Sequence, residues 1–419
     1  MALVRSPPLF IQSLASGSSH ATYDEAPPSP SEQLFHDLHT SITASISSTP
    51  QRRPILTHLN ADTTWLLSIP YPQEQRTHGE PSSETKQTRR SPRAVKNTRI
   101  VREAKIVTPA KRKRSSSEEE GDKKKKYFHI LIDPWLKGSQ SDVAAFFSQQ
   151  WHATPSAVQT IEEVEQCIWE LEAVAAGQDP PSARWEKSAS ALDCVAISHE
   201  FTDHMHEATL REIAPSVPIF ATPKARGIIA SWGHFNQVLE IERFGGDWRR
   251  GALHGAGVLP RWLSISRLAF PGKDLLYYHS AIMIAFCGSL NPSVGDAEAV
   301  IYTPHGISPP VAEPVGKAHP KIKTLALLHG LHDITLGAQL NMGAHNGLKI
   351  QRALGAHYWI GTHDEVKKGG GLISWWLKRK VVTLEDALKI EVFGGGKEGK
   401  EELAVRFVDL GNGESLILE

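Results

Sequence analysis

Cysteine is scarce in this sequence, and so are long apolar runs. The 419 residues include only Cys167, Cys194 and Cys287, which argues against a disulfide framework or a cysteine-based zinc site and favours a reducing compartment. The most apolar run, Ala281 to Cys287, is far shorter than the roughly 20 residues of a membrane helix, and the N-terminus lacks the apolar core of a secretory signal. Net charge is also absent, because 46 Lys and Arg residues balance 46 Asp and Glu residues. We therefore expect a soluble protein, nuclear or cytoplasmic, with no global attraction to nucleic acid or membranes.

Two segments have a composition that is unsuited to a packed core. Residues 1–49 are rich in Ser and Pro and are predicted to be a flexible extension, in which residues 31–42 could form one short helix. Residues 73–126 contain 17 Lys and Arg against 8 Asp and Glu and almost no large apolar side chains, which predicts a disordered basic insertion. Because a long loop adds little closure entropy, residues 50–72 and 127–419 are predicted to form one domain around it.

The basic insertion contains the cluster Lys111-Arg-Lys-Arg114. Such a cluster is typical of nuclear-localisation signals, so binding to the import machinery is one interpretation, and a solvated basic linker is the other. Specific nucleic-acid recognition is not expected, because the segment lacks aromatic side chains on which bases could stack.

Short apolar runs elsewhere predict many strands and a few helices, which indicates an α/β layered domain. Residues 55–69 are predicted to form two strands around a turn at 60–62, and Lys367-Lys-Gly-Gly-Gly371 is predicted to be a mobile loop. The other predicted strands are 127–136, 194–197, 217–220, 235–244, 263–270, 277–286, 299–302, 324–328 and 358–360, and the main predicted helices are 157–177, 223–231 and 346–355.

Histidine is unusually frequent, with 20 copies, and several histidines adjoin an apolar strand. They are His199, His204, His279, His305 and His363. If these strands share one sheet edge, the imidazoles can meet, and nitrogen ligands with one carboxylate suit zinc, iron or manganese. Any one of them could equally be a surface or hydrogen-bonded histidine, so the spacing alone leaves both interpretations open.

The stretch Ser198-His-Glu-Phe-Thr-Asp-His204 resembles the Ser-His-x-His-x-Asp-His signature of the metallo-β-lactamase superfamily. Ile130-Leu-Ile-Asp-Pro-Trp-Leu136 resembles the early strand of that superfamily, and Tyr358-Trp-Ile-Gly-Thr-His363 resembles its last ligand-bearing strand. The resemblance is strongest to the branch that includes ascorbate-6-phosphate lactonase-like proteins. It implies a four-layer αββα sandwich in which the Asp133 carboxylate braces the metal loop.

The resemblance also implies a set of metal ligands and a catalytic residue. Asp203 would both bind the ion and accept a proton. His305 stands where the superfamily usually has a bridging aspartate, and His279 stands at its third motif. The implied metal ligands are His199, Asp203, His204, His279, His305 and His363. Further candidates for contacts around the metal or the substrate are His206, His329, His332 and Asp333.

Two positions depart from the superfamily pattern. Phe201 occupies the second histidine of the signature, and a phenyl ring cannot ligate a metal, so one of the two usual metal positions loses a ligand. His305 replaces a carboxylate, which removes a negative charge and weakens the binding of a divalent ion. We therefore expect one zinc ion rather than two, with iron or manganese as alternatives. A Phe201→His substitution is expected to raise the metal stoichiometry if the rest of that position is intact.

The function implied by the resemblance is that of a metal-dependent hydrolase. A metal-bound hydroxide would attack an ester, lactone, amide or phosphoester bond of a small-molecule substrate. The alternative is a non-catalytic protein of the same fold that acts as a nuclear or protein-binding module, because a fold does not determine a function. The metal content of the purified protein distinguishes the two.

Overall fold

The computed structural model describes most of the chain. The described residues are 52–72, 125–142, 146–178, 190–254, 257–270, 279–289, 295–370, 376–394 and 405–419, with a few single positions between 33 and 44. Among those single positions, Leu38 is helical and fully buried, and the Ser41 hydroxyl accepts a hydrogen bond from Ser415 N at 2.8 Å. The other predictions for residues 1–49, and those for 73–124 with the motif Lys111–Arg114, lie outside the described residues.

Strands outnumber helices along the described chain. The strands are β1 (Ile55–His58), β2 (Trp65–Pro70), β3 (Tyr127–Ile132), β4 (Gln149–Trp151), β5 (Cys194–Ile197), β6 (Ile219–Ala221), β7 (Val238–Glu240), β8 (Leu263–Leu268), β9 (Ala281–Phe286), β10 (Ala297–Thr303), β11 (Ile322–His329), β12 (Asp333–Leu336), β13 (Ala338–Asn341), β14 (Tyr358–Ile360), β15 (Lys368–Gly370), β16 (Lys378–Lys380), β17 (Phe407–Val408) and β18 (Ser415–Ile417). The helices are α1 (Ile161–Ala175), α2 (Glu207–Leu210), α3 (Pro223–Ser231), α4 (Arg249–His254), α5 (Pro309–Gly316), α6 (Ala344–Leu354) and α7 (Leu384–Gly394).

The first sheet has seven strands in the order β18-β1-β2-β3-β5-β6-β7. Its strands β1, β2 and β3 are antiparallel neighbours, whereas β3, β5, β6 and β7 run parallel. Pro70 pairs with Tyr127 at the end of the β2–β3 ladder, so the chain between these strands connects two paired neighbours. A long connection is tolerated there because closure entropy grows slowly with loop length.

The second sheet has six strands in the order β17-β14-β11-β10-β9-β8. Strands β8, β9 and β10 are antiparallel, and β10, β11, β14 and β17 run parallel. Parallel strands end at a common edge, so the loops that follow β10, β11 and β14 lie together. Two smaller sheets, β13-β12-β16 and β15-β4, complete the described strands.

Side-chain alternation along the strands explains why both faces of each sheet are covered. In β2, Trp65 and Leu67 enter an apolar cluster shared by the two large sheets, whereas Leu66 enters a second cluster with α1, α2 and α3. In β14, Ile360 enters the shared cluster and Trp359 enters a third cluster with α6 and α7. The order of layers is therefore helices, sheet, sheet, helices. The predicted four-layer αββα sandwich is confirmed.

Most predicted elements are present, but the structure adds several short strands and the helices α4, α5 and α7, which the sequence does not predict. Helix α3 begins and ends as predicted, at Pro223 and Ser231, whereas the strand predicted at 235–244 is shorter. The sequence does not predict β17 and β18, because such short strands exist only through pairing with β14 and β1. The prediction of a mobile loop at Lys367–Gly371 is wrong for β15, which pairs with β4. Within the described part of the chain, no helix combines the length and apolarity needed to cross a membrane.

Candidate metal site

Asp133 fixes the histidine-rich loop that follows β5. Strands β3 and β5 are parallel neighbours, so Asp133 at the end of β3 lies beside Ser198 at the end of β5. The buried Asp133 carboxylate accepts hydrogen bonds from Ser198 N at 2.7 Å, from the Ser198 hydroxyl and from His204 Nδ1 at 2.7 Å. Asp133 thus makes the bracing contact that the sequence resemblance implies.

Asp62 has the same role for His363 on the other side of the site. His363 Nδ1 lies 3.0 Å from Asp62 Oδ1, and His363 N donates to the Asp62 carbonyl at 3.0 Å. Asp62 lies in the turn between β1 and β2 and is fully buried. Among the non-glycine residues that the structure describes, only Asp133 and His363 have positive φ angles, 44° and 59°. Such angles are uncommon outside glycine and tend to occur at functional sites.

Three imidazoles converge between these two carboxylates. His204 and His363 each direct Nδ1 at a carboxylate, so a neutral ring directs the lone pair of Nε2 into the site. His204 Nε2 lies 3.1 Å from His305 Nε2, and one nitrogen from each of His204, His305 and His363 lies within 4.8 Å of the others. Two nitrogens bound tetrahedrally to zinc at 2.0–2.1 Å are about 3.3 Å apart, so the observed spacing fits a metal ion. A carboxylate on the second ring nitrogen is the usual support of such a ligand.

Beside the imidazoles lies a second group, made of Asp62, Asp203 and Lys367. The Lys367 ammonium lies 2.8 Å from Asp62 Oδ2 and 2.6 Å from Asp203 Oδ2, and the lysine side chain is only 7% exposed. The same ammonium lies 5.3 Å from the centre of the Trp135 ring, which adds a cation–π contact. The sequence predicts neither Asp62 nor Lys367 as a site residue.

The second group is fully charged at neutral pH. Burial alone would raise the pKa of both carboxyl groups, but the positive charge of Lys367 outweighs it, and the pKa values of Asp62 and Asp203 lie well below the usual range. Burial would lower the pKa of Lys367, and the two carboxylates raise it instead. Each charge in this group therefore depends on the others.

In the imidazole group, burial and neighbouring charges shift the histidine pKa values in different directions. Burial lowers the pKa of His305 and of His363, and positive charge on the neighbouring histidines lowers that of His305 further. Burial would also lower the pKa of His204, but Asp203 and Asp133 raise it overall. Two of the three imidazoles therefore favour the neutral form, which is the form that binds a metal.

His199 and His279 lie next to the cluster. The ring of His199 stacks on His305, with 4.4 Å between ring centres, and lies 5.7 Å from the ring of Phe201. His279 Nδ1 lies 3.2 Å from the carbonyl oxygen of His305, and its Nε2 lies 3.3 Å from the carbonyl oxygen of Gln339. His279 is therefore placed to hold the backbone of the His305 loop, and the structure does not bring it into the cluster.

The four further candidates hold the surroundings of the site. His206 accepts a hydrogen bond from Thr209 N at 3.4 Å, and His329 lies 2.8 Å from Asn346 Oδ1. His332 lies 2.9 Å from Arg379 Nη1, and Asp333 accepts a hydrogen bond from Gly343 N at 2.9 Å. In the described chain, none of the four belongs to a group of ligand atoms that could share one ion.

A small cleft opens beside His199. Its volume is about 140 Å³, less than the 300–1,000 Å³ of pockets for drug-sized ligands, so it fits a small group. Its lining consists of Ser198, His199, Thr222, Pro223, Lys224 and Arg267. The two cationic side chains favour a group with negative charge, although Lys224 also pairs with Glu200 at 3.0 Å.

No protein-family model matches this sequence, and no curated protein matches it. An isothiocyanate hydrolase from Delia radicum gut bacteria is similar in structure with a TM-score of 0.42 and 12% identity, over 70% of this chain and 93% of that chain. Igni18, a metallo hydrolase from Ignicoccus hospitalis, has a TM-score of 0.40 and 12% identity, over 88% of this chain and 99% of that chain. The metallo-β-lactamase fold protein YhfI from Bacillus subtilis has a TM-score of 0.32 and 12% identity, over 68% of this chain and 96% of that chain.

One of these neighbours is thus a hydrolase, one a metallo hydrolase and one a metallo-β-lactamase-fold protein. All three TM-scores are below 0.5. The fold assignment therefore rests on the layers and the strand order of this chain, not on these neighbours.

Proposed function

We propose that this protein is a metal-dependent hydrolase whose ion is held by His204, His305 and His363. The observation that carries the proposal is the convergence of these three buried imidazoles, two of them oriented by buried carboxylates. Nitrogen donors that approach to 3.1 Å need a proton or a cation between them, and a metal ion meets that need. Zinc is the ion expected for this donor set, with iron or manganese as alternatives.

In the proposed reaction, the chain contributes buried carboxylates that orient the imidazole ligands. A divalent ion, when bound, supplies positive charge that acidifies a water molecule and stabilises an oxyanion. Asp133 and Asp62 hold His204 and His363 in one tautomer, so that both Nε2 atoms face the same point. Both carboxylates are fully buried, and low local dielectric strengthens these hydrogen bonds.

The resemblance implies that Asp203 accepts a proton, but its pKa favours a different role. A proton acceptor works best with a pKa near the working pH, whereas the pKa of Asp203 lies well below its usual value, because Lys367 outweighs the effect of burial. We therefore propose that Asp203 orients the site, with the Lys367 ammonium at 2.6 Å and His204 Nε2 at 3.7 Å. His199, which lines the cleft and stacks on His305, is the histidine placed to touch substrate.

The proposed substrate is a small molecule with an ester, lactone, amide or phosphoester bond and a nearby negative charge. Arg267 and Lys224 line the cleft beside His199. An arginine can bind a carboxylate or phosphate through two parallel hydrogen bonds, which favours such a group in the cleft.

The experiment is a measurement of metal content followed by activity. The purified chain is stripped with a chelator, reconstituted with zinc, iron(II) or manganese(II), and assayed against esters, lactones, amides and phosphoesters. We expect metal-dependent hydrolysis that His204→Ala abolishes. Failure to hold any of the three metals, both as purified and after reconstitution, would contradict the proposal.

The second candidate is a non-catalytic protein of this fold. Lys367 favours it, because its ammonium balances the Asp62 and Asp203 carboxylates without a metal ion. A nuclear role would then depend on residues 73–126, nearly all of which lie outside the described residues. Replacement of Lys111–Arg114 by alanine in a fluorescent fusion tests the import machinery as a partner. Loss of nuclear accumulation supports that role, and an unchanged distribution contradicts it.

A further inference from the structure

Two sets of candidate ligands occur in this site, and they share His363. The first set, His204, His305 and His363, offers three nitrogens. The second set, Asp62, Asp203 and His363, offers ligand atoms that also lie within 4.8 Å of one another, and two of them belong to carboxylates. The second set is therefore a cation position with two negative charges.

The Lys367 ammonium lies at that cation position. It contacts Asp62 Oδ2 at 2.8 Å and Asp203 Oδ2 at 2.6 Å, and both carboxylate side chains are at most 12% exposed. A divalent ion between these carboxylates would use the same oxygen lone pairs and would be repelled by the ammonium at close range. One cation therefore excludes the other.

The backbone places Lys367 at this position independently of any ligand. Two residues earlier, the Glu365 carboxylate accepts hydrogen bonds from Ala153 N at 2.8 Å and from Thr154 N at 3.0 Å. Directly after Lys367, β15 pairs with β4. Because the segment is anchored on both sides, the lysine side chain is directed inward by the fold.

We infer that Lys367 is a built-in cation that replaces a second metal ion between Asp62 and Asp203, so that the chain binds at most one divalent ion. The sequence also predicts one ion, but from the ligand lost at Phe201, whereas the structure assigns the cause to Lys367. The inference rests on the proposed metal site for the first ion and is independent of it for the second position.

The test is the metal stoichiometry of Lys367→Met, with Lys368→Met as the matched control. Methionine keeps an unbranched apolar side chain and removes the charge, and Lys368 is the exposed next residue, the first of β15. Metal-free full-length protein is titrated with zinc or cobalt(II), and bound metal per chain is measured by elemental analysis after gel filtration. We expect one ion in the wild type and in Lys368→Met, and two in Lys367→Met.

Equal stoichiometry in folded Lys367→Met and wild type overturns the inference. Two ions in the wild type also overturn it, but they leave the hydrolase proposal intact. No ion in the wild type and one in Lys367→Met support the inference and contradict the hydrolase proposal.

A second measurement avoids the variant, because loss of a buried charge can prevent folding. Cobalt(II) is added stepwise to the wild-type protein, and its electron paramagnetic resonance spectrum is recorded. We expect isolated ions at every ratio, and a spin-coupled pair of ions would overturn the inference.

Discussion

The two halves of the candidate site stabilise buried polar groups in opposite ways. In the carboxylate half, Asp62 and Asp203 are balanced by an ammonium from the same chain, and all three groups are charged. In the histidine half, His204 and His305 approach through Nε2 atoms at 3.1 Å, and burial lowers the pKa of His305.

This difference indicates where a metal ion is needed. A carboxylate pair with its own ammonium is complete, because an added cation would have to displace the lysine. Two imidazole nitrogens 3.1 Å apart need a proton or a cation between them, and a metal ion there would also be within reach of His363. We therefore assign the metal position to the histidine half.

Removal of the ammonium has the largest expected effect. Lys367→Met leaves two buried carboxylates without their cation and should lower the free energy of unfolding of the metal-free protein by about 3–5 kcal/mol. Lys368→Met should change it by less than about 0.5 kcal/mol. Urea unfolding in the presence of a chelator measures both variants. Equal stability of the two would show that Lys367 does not balance the carboxylate half.

Loss of a histidine ligand comes next. His204→Ala should weaken zinc binding by more than about 100-fold, beyond the 10–100-fold typical of residues that only orient a ligand. His357→Ala is the control, because His357 contacts Arg406 outside the cluster. Isothermal titration calorimetry measures both affinities. Retained affinity in His204→Ala would place the ion outside the histidine half.

Acid should affect the histidine half before the carboxylate half. Burial lowers the pKa of His305 and His363 below the ordinary 6.5, so the unfolded chain takes up protons first as the pH falls below 6.5. The free energy of unfolding therefore decreases with decreasing pH, by up to about 1.4 kcal/mol per pH unit for each histidine. His204 has the opposite shift, because carboxylates outweigh its burial, and its contribution is complete below 6.5 and is lost as the pH rises through its folded pKa.

His305→Gln isolates one of these contributions. Between pH 6.5 and about pH 5, the variant should show a slope smaller by up to about 1.4 kcal/mol per pH unit in urea unfolding of the metal-free protein. An unchanged slope would mean that His305 is protonated in the folded state.

Phe201→His has the smallest expected effect. The sequence predicts an added ion if the rest of that position is intact. His279, which would complete it, has both ring nitrogens at backbone carbonyl oxygens, 3.2–3.3 Å away. We therefore expect unchanged stoichiometry by elemental analysis. A gain of one ion would show that His279 can leave these carbonyls and that the histidine half accepts a second cation.

Asp62 illustrates how much of the site was open to prediction. The sequence shows it as a turn residue between two strands, because a short polar run between apolar runs has that local meaning. The antiparallel pairing of β2 with β3 places Trp65 beside Ile132, so the turn before β2 lies at the same edge as Asp133. That topological argument could have identified Asp62, because the sequence already predicts that residues 50–72 and 127–419, on either side of the basic insertion, form one domain.

Lys367 was not open to prediction in this way. Its glycine-rich neighbourhood resembles a surface loop, and its burial depends on the pairing of β15 with β4, which lies far away in the chain. Lysine is seldom buried without a partner, and the partners here come from two other loops. No local sequence pattern predicts a contact between side chains from such distant loops.

The sequence by itself determined the features that depend on local chemistry. The apolar runs of β2 and β14 are typical of strands that are buried on both faces, and the resemblance carried by the stretch from Ser198 to His204 implies a histidine loop braced by Asp133. Only the tertiary structure decided which side chains share a charge balance, because that depends on loops brought together by packing. It separates the histidine half from the carboxylate half and places Lys367 where a second ion would lie.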